Sequence, residues 1–213
     1  MAENHFAAQV AGVVLAGGAS SRMGQPKALL PFLGRALAAR ALDRLRPQVA
    51  RIYLNVRESS AALASLGAML VEDPPAFRGA GPLAGVAAAL AQAETEGLAF
   101  LATVPCDAPF SPLDLVARLA QARAPAVAVS TSGLEPMFAL WPVSALAAVE
   151  AALAEGRSSP RRVLEALGAT RVSLPDAVFA NLNTPAEFAQ AQAAANLLEV
   201  QQPAPAGPMG VDR

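Results

Sequence analysis

Short apolar runs recur along the chain, each followed by a glycine, proline or polar break and then by a stretch of helical spacing. Residues 10–14, Val-Ala-Gly-Val-Val, form an apolar segment of the kind buried in a parallel sheet, with 13–15 at the heart of the strand. An Ala/Leu/Arg segment over roughly 34–45 reads as a helix stopped by Pro47. Residues 51–56 alternate and are β-branched enough for a second strand, with the amide of Asn55 near its end. A short helix over 59–66 closes at Gly67, and a third strand over 69–72 runs into Asp73-Pro74-Pro75, where the prolines force the chain out of regular structure. Gly79-Ala80-Gly81-Pro82-Leu83-Ala84-Gly85 opens an Ala/Leu helix reaching about residue 92. The most apolar strand, 99–104, is expected at the centre of the sheet and ends in Pro105-Cys106-Asp107-Ala108-Pro109. A helix over 112–123 follows, with Ser111 standing at the N-cap position.

The second half continues the pattern. Strands over 126–130 and 137–141 are joined by a short polar link, which predicts antiparallel neighbours and therefore a mixed sheet. An Ala-rich helix over 144–155 closes at Gly156, and Ser159-Pro160 reads as an N-cap with proline at the first helical position. A last short strand is expected over 171–174, and Asn183 and Thr184 are natural caps for a final helix. Strands alternating with helices point to an α/β architecture. One domain is expected over 1–200, with the Pro/Gly-rich, aperiodic segment 201–213 as a disordered tail.

Between the first strand and the first helix lies Leu15-Ala16-Gly17-Gly18-Ala19-Ser20-Ser21-Arg22-Met23-Gly24-Gln25-Pro26-Lys27. A glycine-rich turn at the carboxyl end of a buried strand presents backbone N–H groups where open α/β sheets bind ligands. Arg22 and Lys27 add a guanidinium fork and an ammonium, so the turn is suited to a polyphosphate. It is neither G-x-x-x-x-G-K-[ST] nor G-x-G-x-x-G. Of the sixteen basic residues fifteen are Arg, and the single Lys falls in this turn. A solvated surface Lys is the bland alternative. Asp107, at the end of a buried strand, suits a hard cation such as Mg²⁺, which takes one or two carboxylates with phosphate oxygens and water. The alternative for Asp107 is an Asx turn or helix cap.

The pattern L-A-G-G-x-S-x-R-M-G-x-x-K resembles nucleotidyltransferases, and within them the molybdenum cofactor guanylyltransferases of the molybdopterin nucleotidyltransferase family. G-P-L-A-G, P-C-D-x-P and N-x-N-T-P resemble later motifs of that family in the same order, so the likeness spans roughly 12–190. It implies a three-layer, Rossmann-like nucleotidyltransferase fold with a mostly parallel, mixed central sheet. It places Leu15, Ala16, Gly17, Gly18, Lys27, Asn55, Asp73 and Asp107 on the nucleotide, with Asp73 or Asn55 reading the base or ribose. Arg22, Lys27 and Asp107 are the implied catalytic groups, with Mg²⁺ on Asp107. The implied acceptor, molybdopterin or its molybdenum-loaded form, carries a phosphate. Arg157, Arg161, Arg162, Asn181 and Asn183 are candidates to hold it, with a charged surface turn and helix capping as their alternatives.

Composition narrows the classes. The net charge of −1 and pI near 5.9 argue against a nucleic-acid or anionic-membrane surface. No apolar run approaches a membrane span, and the N-terminal residues lack the pattern of a signal peptide. The lone Cys106 excludes an internal disulfide framework, reads as a buried packing thiol, and fits the cytoplasm.

The resemblance implies that molybdopterin attacks the α-phosphorus of GTP and that pyrophosphate leaves. The attacking phosphate is already ionised, so no general base is needed and the lack of a catalytic His is no objection. Molybdoenzyme-specific chaperones are further implied partners. The alternatives are a molybdopterin cytidylyltransferase, which usually carries L-A-A-G and a G-D-Q-P-type acid motif, a sugar-1-phosphate nucleotidyltransferase, or a non-catalytic nucleotide-binding module.

Overall fold

Strand β6 (Phe100–Pro105) is the middle of a seven-stranded sheet ordered β5-β4-β1-β6-β8-β7-β9. The computed structural model describes residues 6–17 and 26–179, together with 187, 189, 191 and 193. Two compact units are present, Met1–Asn181 and Leu182–Arg213. In the second unit the four described residues are helical. The expected caps of the final helix and the tail 201–213 lie outside the described residues.

In the first unit β1 (Val10–Leu15) lies between β4 (Arg51–Val56) and β6, parallel to both, and β5 (Met69–Glu72) adds parallel to β4. Beyond β6, strand β8 (Gly133–Pro142) runs antiparallel and pairs with β7 (Ala126–Ser130), to which β9 (Thr170–Ser173) is parallel. Only β8 runs against the others, so the sheet is mostly parallel and mixed, as the short polar link predicts.

Period-two alternation divides the strands between two apolar layers. On β1, Val10 and Val14 join a core with Leu42 and Leu45 of helix α1 (Leu37–Leu45), Leu63 of α2 (Ala61–Ala64) and Leu115 of α4 (Leu115–Gln121). Ala11, Val13 and Leu15 join the opposite core with Leu83 and Leu90 of α3 (Pro82–Thr95), Val149 of α5 (Leu146–Ala154) and Val163 of α6 (Pro160–Ala166). The result is helices on both faces of a buried sheet, a three-layer α/β fold. Among the described residues no helix is long and apolar enough to cross a membrane.

Several boundaries differ from the sequence reading for identifiable reasons. Helix α1 begins at Leu37 because Pro31–Phe32 (β2) and Arg35–Ala36 (β3) pair as a small hairpin. Its turn is made by Leu33 and Gly34 at φ of 49° and 74°. Helix α4 starts later than expected, and Ser111 does not cap it: the Ser111 hydroxyl donates to the Ala108 carbonyl at 2.8 Å. The acceptor at that helix start comes from Gln48, whose Oε1 accepts from the Val116 N–H at 2.9 Å. Asp73-Pro74-Pro75 leads into a 3₁₀ turn, Pro75–Phe77, instead of leaving all regular structure. Ser159 caps α6 as read, accepting from the Arg162 N–H.

Gly12 lets α1 approach β1, since a Cβ there would lie 2.8 Å from Leu45 Cδ2 and 3.1 Å from Val49 Cγ2. Replacing Gly12 by Val therefore overpacks this layer and is expected to cost about 2 kcal/mol. Urea unfolding checks this as a lowered midpoint at unchanged slope; an unmoved midpoint would mean that Leu45 gives way freely.

Candidate functional site at the carboxyl rim of the sheet

Strands β1, β4, β5 and β6 run in one direction, so the segments leaving them emerge along one rim. Leu15 faces Asn55 across one ladder and Pro105 across the other. The Ala16 N–H donates to the Asn55 carbonyl at 2.9 Å, and the Leu15 carbonyl accepts from the Cys106 N–H at 3.1 Å. These bonds fasten the start of the glycine-rich turn to both neighbouring strand ends.

The far end of that turn is also fastened here. Lys27 opens a 3₁₀ turn, Lys27–Leu29, and its Nζ donates to Asp107 Oδ2 at 2.6 Å. Their side chains are 17% and 19% exposed, so the pair sits at the rim with one side toward solvent. A carboxylate and an ammonium in this setting can bind a cation and an anionic oxygen side by side. The carboxylate of Asp107 is thus held by Lys27, eighty positions away, while its alternative reading was a local turn or cap.

A second pair lies on the α3 side of β4. The Asn55 Nδ2 donates to Asp73 Oδ1 at 2.9 Å and to the Val71 carbonyl at 3.2 Å. Asn55 and Asp73 are 2% and 6% exposed. Gly17 packs against them: a Cβ at 17 would lie 2.8 Å from Asn55 Oδ1 and 3.7 Å from Asp73 Oδ1. Gly85, within α3, stands closer still, where a Cβ would overlap the Asn55 carboxamide.

The structure therefore brings Lys27 to Asp107, and Gly17 to Asn55 and Asp73, with Leu15 and Ala16 in the ladders between them. Gly18, Arg22, Asn181 and Asn183 lie outside the described residues. On the exposed surface around α6, Arg157 pairs with Glu155 at 2.6 Å and Arg161 with Glu165 at 3.1 Å, while Arg162 stands at the capped start of the helix. A phosphate reaching these two guanidiniums would have to displace a carboxylate.

Sequence reasoning passed over the groups that hold the Asp107 loop. Arg44 of α1 donates through Nε to the Ser111 carbonyl, and Gln48 Nε2 donates to the Pro112 carbonyl at 3.0 Å. Phe110 meets Phe32 edge-on at 5.9 Å between centroids. None of these belongs to a motif; they are ordinary polar and aromatic positions whose partners only the fold reveals.

A divalent cation would find one carboxylate here, that of Asp107. Among the described residues no three His, Cys, Asp or Glu side chains gather to hold a metal by themselves. This donor set fits Mg²⁺, which ordinarily completes its shell with substrate phosphates and water.

Cys106 is buried, and burial, followed by the adjacent Asp107 carboxylate, pushes its thiol up to about 12. Burial and then Glu96 raise the Tyr53 phenol as well. A group whose folded pKa is raised contributes stability that is full below its unfolded value, about 8.5 for a thiol. That contribution is lost as the pH climbs toward the folded value. The unfolding midpoint is accordingly expected to fall from about pH 9 upward, with a shallower fall in Cys106→Ala. Denaturation at stepped pH checks both.

Comparison with known proteins places these features in context. The family described as MobA-like NTP transferase domain matches residues 12–172. The molybdenum cofactor guanylyltransferase of Rhizobium meliloti (strain 1021) is 39% identical over 210 residues, covering 90% of this chain and 94% of the relative. That of Cupriavidus pinatubonensis (strain JMP 134 / LMG 1197) is 40% identical over 188 residues, covering 82% and 92%. Among solved structures, molybdopterin-guanine dinucleotide biosynthesis protein A from Archaeoglobus fulgidus superposes with a TM-score of 0.69 at 22% identity, covering 88% of this chain and 99% of that one.

Proposed function

The chain belongs to the MobA-like NTP transferase family, and from that membership we propose that it transfers GMP from GTP to the terminal phosphate of molybdopterin. The molybdenum-loaded form is the same acceptor with the metal already in place. As a nucleotidyltransferase it forms one phosphoanhydride and breaks another. An oxygen of the acceptor phosphate attacks the α-phosphorus of GTP, and the bond from that phosphorus to the bridging oxygen breaks. Pyrophosphate leaves with the electron pair, and the product is the guanine dinucleotide form of the cofactor.

The observation that carries this reading is the contact of Lys27 with Asp107 at the exit of β1 and β6. Phosphoryl chemistry needs alignment and charge neutralisation more than covalent participation. Lys27 and Arg22 offset the charge that grows on the α-phosphate and the departing pyrophosphate. Leu15, Ala16, Gly17 and Gly18 let the backbone approach the nucleotide closely. Asp107 is the residue that would hold Mg²⁺, and the ion would supply charge neutralisation and Lewis-acid polarisation at the phosphates. The acceptor phosphate is ionised at neutral pH, so none of these residues has to move a proton. Asp73, which follows β5, would on this reading accept from guanine N1–H and N2–H. Asn181, Asn183, Arg157, Arg161 and Arg162 are the groups proposed for the acceptor. The cytoplasm and a molybdoenzyme-specific chaperone complete the reading, the first resting on the lone buried Cys106.

Pyrophosphate release in Mg²⁺, measured with each triphosphate with and without molybdopterin, tests the proposal. GTP together with molybdopterin is expected to give turnover. Turnover with CTP alone, with a sugar 1-phosphate as acceptor, or with no combination would each replace it. Lys27→Ala and Asp107→Ala are each expected to lower kcat by about 100-fold or more, with unfolding midpoints near the parent's. Chelation should abolish turnover, and added Mg²⁺ should restore it.

A further inference from the structure

Arg44, on helix α1, is half-buried, and among the described residues no carboxylate pairs with it. The acids nearest to it in the chain and to the loop it touches are taken: Asp43 pairs with Arg35 at 2.5 Å and Asp114 with Arg118 at 2.8 Å. Burial holds the Arg44 guanidinium below its ordinary pKa. A cation drawn out of water without a counter-ion is costly unless its donors are met. What Arg44 meets is main chain: its Nε donates to the Ser111 carbonyl.

Ser111 passes the hold backward along the chain. Its hydroxyl and its N–H both donate to the Ala108 carbonyl, at 2.8 and 3.3 Å. Ser111 is 2% exposed and Ala108 is fully buried, and the Ala108 N–H donates to the Pro105 carbonyl at 3.3 Å. These bonds run from Arg44 through Ser111 to Ala108 without a gap, and they stop beside Asp107. Gln48 adds a parallel hold, with Nε2 donating to the Arg44 and Pro112 carbonyls at 2.7 and 3.0 Å. The limb that carries Lys27 hangs from the same helix. Arg40 donates to the Phe32 and Leu33 carbonyls of the β2–β3 hairpin at 2.8 and 2.5 Å. Both members of the Lys27–Asp107 pair are therefore referred to α1.

We infer that Arg44 is a positioning residue that fixes Asp107 through Ser111, and so sets how the rim takes a triphosphate with its Mg²⁺. The inference rests on the nucleotide reading above and deepens it. Among the described residues a cation finds one carboxylate here, so a displacement of that carboxylate is not made good by a second acid. Groups that orient such a ligand from outside govern its affinity for the ion. Arg44 touches neither nucleotide nor metal; it acts by keeping the turn after Asp107 closed.

A double-mutant cycle tests this, read as the dissociation constant of GTP by calorimetry in Mg²⁺ with no acceptor present. Arg44→Ala is expected to weaken GTP roughly tenfold in the parent chain and to change little in the background of Asp107→Ala. Additive losses would overturn the inference, since Arg44 would then reach the nucleotide by another route. In EDTA, Arg44→Ala and the parent are expected to bind GTP alike. An equal loss with and without Mg²⁺ would assign Arg44 to packing alone and overturn its role. Arg44→Lys, whose ammonium can still donate to a carbonyl, is expected to recover most of the affinity; a lysine variant as weak as Arg44→Ala would count against the bond to Ser111. Should Arg44→Ala not fold, Ser111→Ala taken through the same cycle decides, with the same pattern expected and additivity again overturning it. If the parent chain does not bind GTP in Mg²⁺, or Asp107→Ala binds it as tightly as the parent, it is the functional reading that fails, before the cycle is run.

Discussion

Leu15 faces Asn55 on one side and Pro105 on the other, and through this register the exits of three parallel strands share one rim. Side chains on a strand alternate between faces, so a slip of one residue would exchange the two apolar layers. Val14 would leave the α1 side and Val13 the α3 side, and neither layer could close. A one-residue slip of β4 would likewise carry Asn55 to the wrong face, away from Gly85. The hydrophobic cores thus fix the site as firmly as they fix the fold, because both depend on one alignment.

The site is assembled from close approach rather than from many charges. Gly12 admits Leu45 to the sheet, and Gly17 and Gly85 admit Asn55. With only 15% charged residues and 54% hydrophobic ones, the chain has few ionic groups to arrange, and Ala-rich helices let backbones come near one another. Two buried polar groups in this dry setting are matched: the Asn55 amide meets two acceptors, and the Thr103 hydroxyl of the central strand meets the Ala139 backbone and the Trp141 indole. Burial without such partners would cost more than the packing returns.

How much of this was legible in the sequence follows from where each signal lives. Strands announce themselves by local apolar runs, so 51–56 and 69–72 match β4 and β5 residue for residue, and the most apolar run is indeed the middle strand. Helix starts were less legible, because a neighbour can supply the cap. Nothing near Val116 indicates that Gln48 will accept from it, and the hydroxyl at Ser111 is drawn to Ala108 instead. The hairpin before α1 was hidden because Leu33 is an unusual residue for positive φ. In the site, Lys27, Asp107 and Asn55 stood out by residue type and position, while Asp73 was marked by the family resemblance alone. Arg44 and Gln48 did not, since holding a loop needs only a donor at the right distance, which no motif encodes.

The contact between Lys27 and Asp107 bears on which ligand the rim accepts. With the pair closed at 2.6 Å, neither charge faces its surroundings uncompensated. A triphosphate stripped of its cation would draw Lys27 toward its oxygens and leave them against the Asp107 carboxylate, a like-charge contact in a half-buried place. A triphosphate carrying Mg²⁺ offers each member of the pair an opposite charge, so both exchange partners and neither is left alone. On the proposed reading, the acid therefore serves as a filter as well as a ligand. On that reading it would admit the metal-loaded nucleotide, because its own partner is the group that the phosphates would take away.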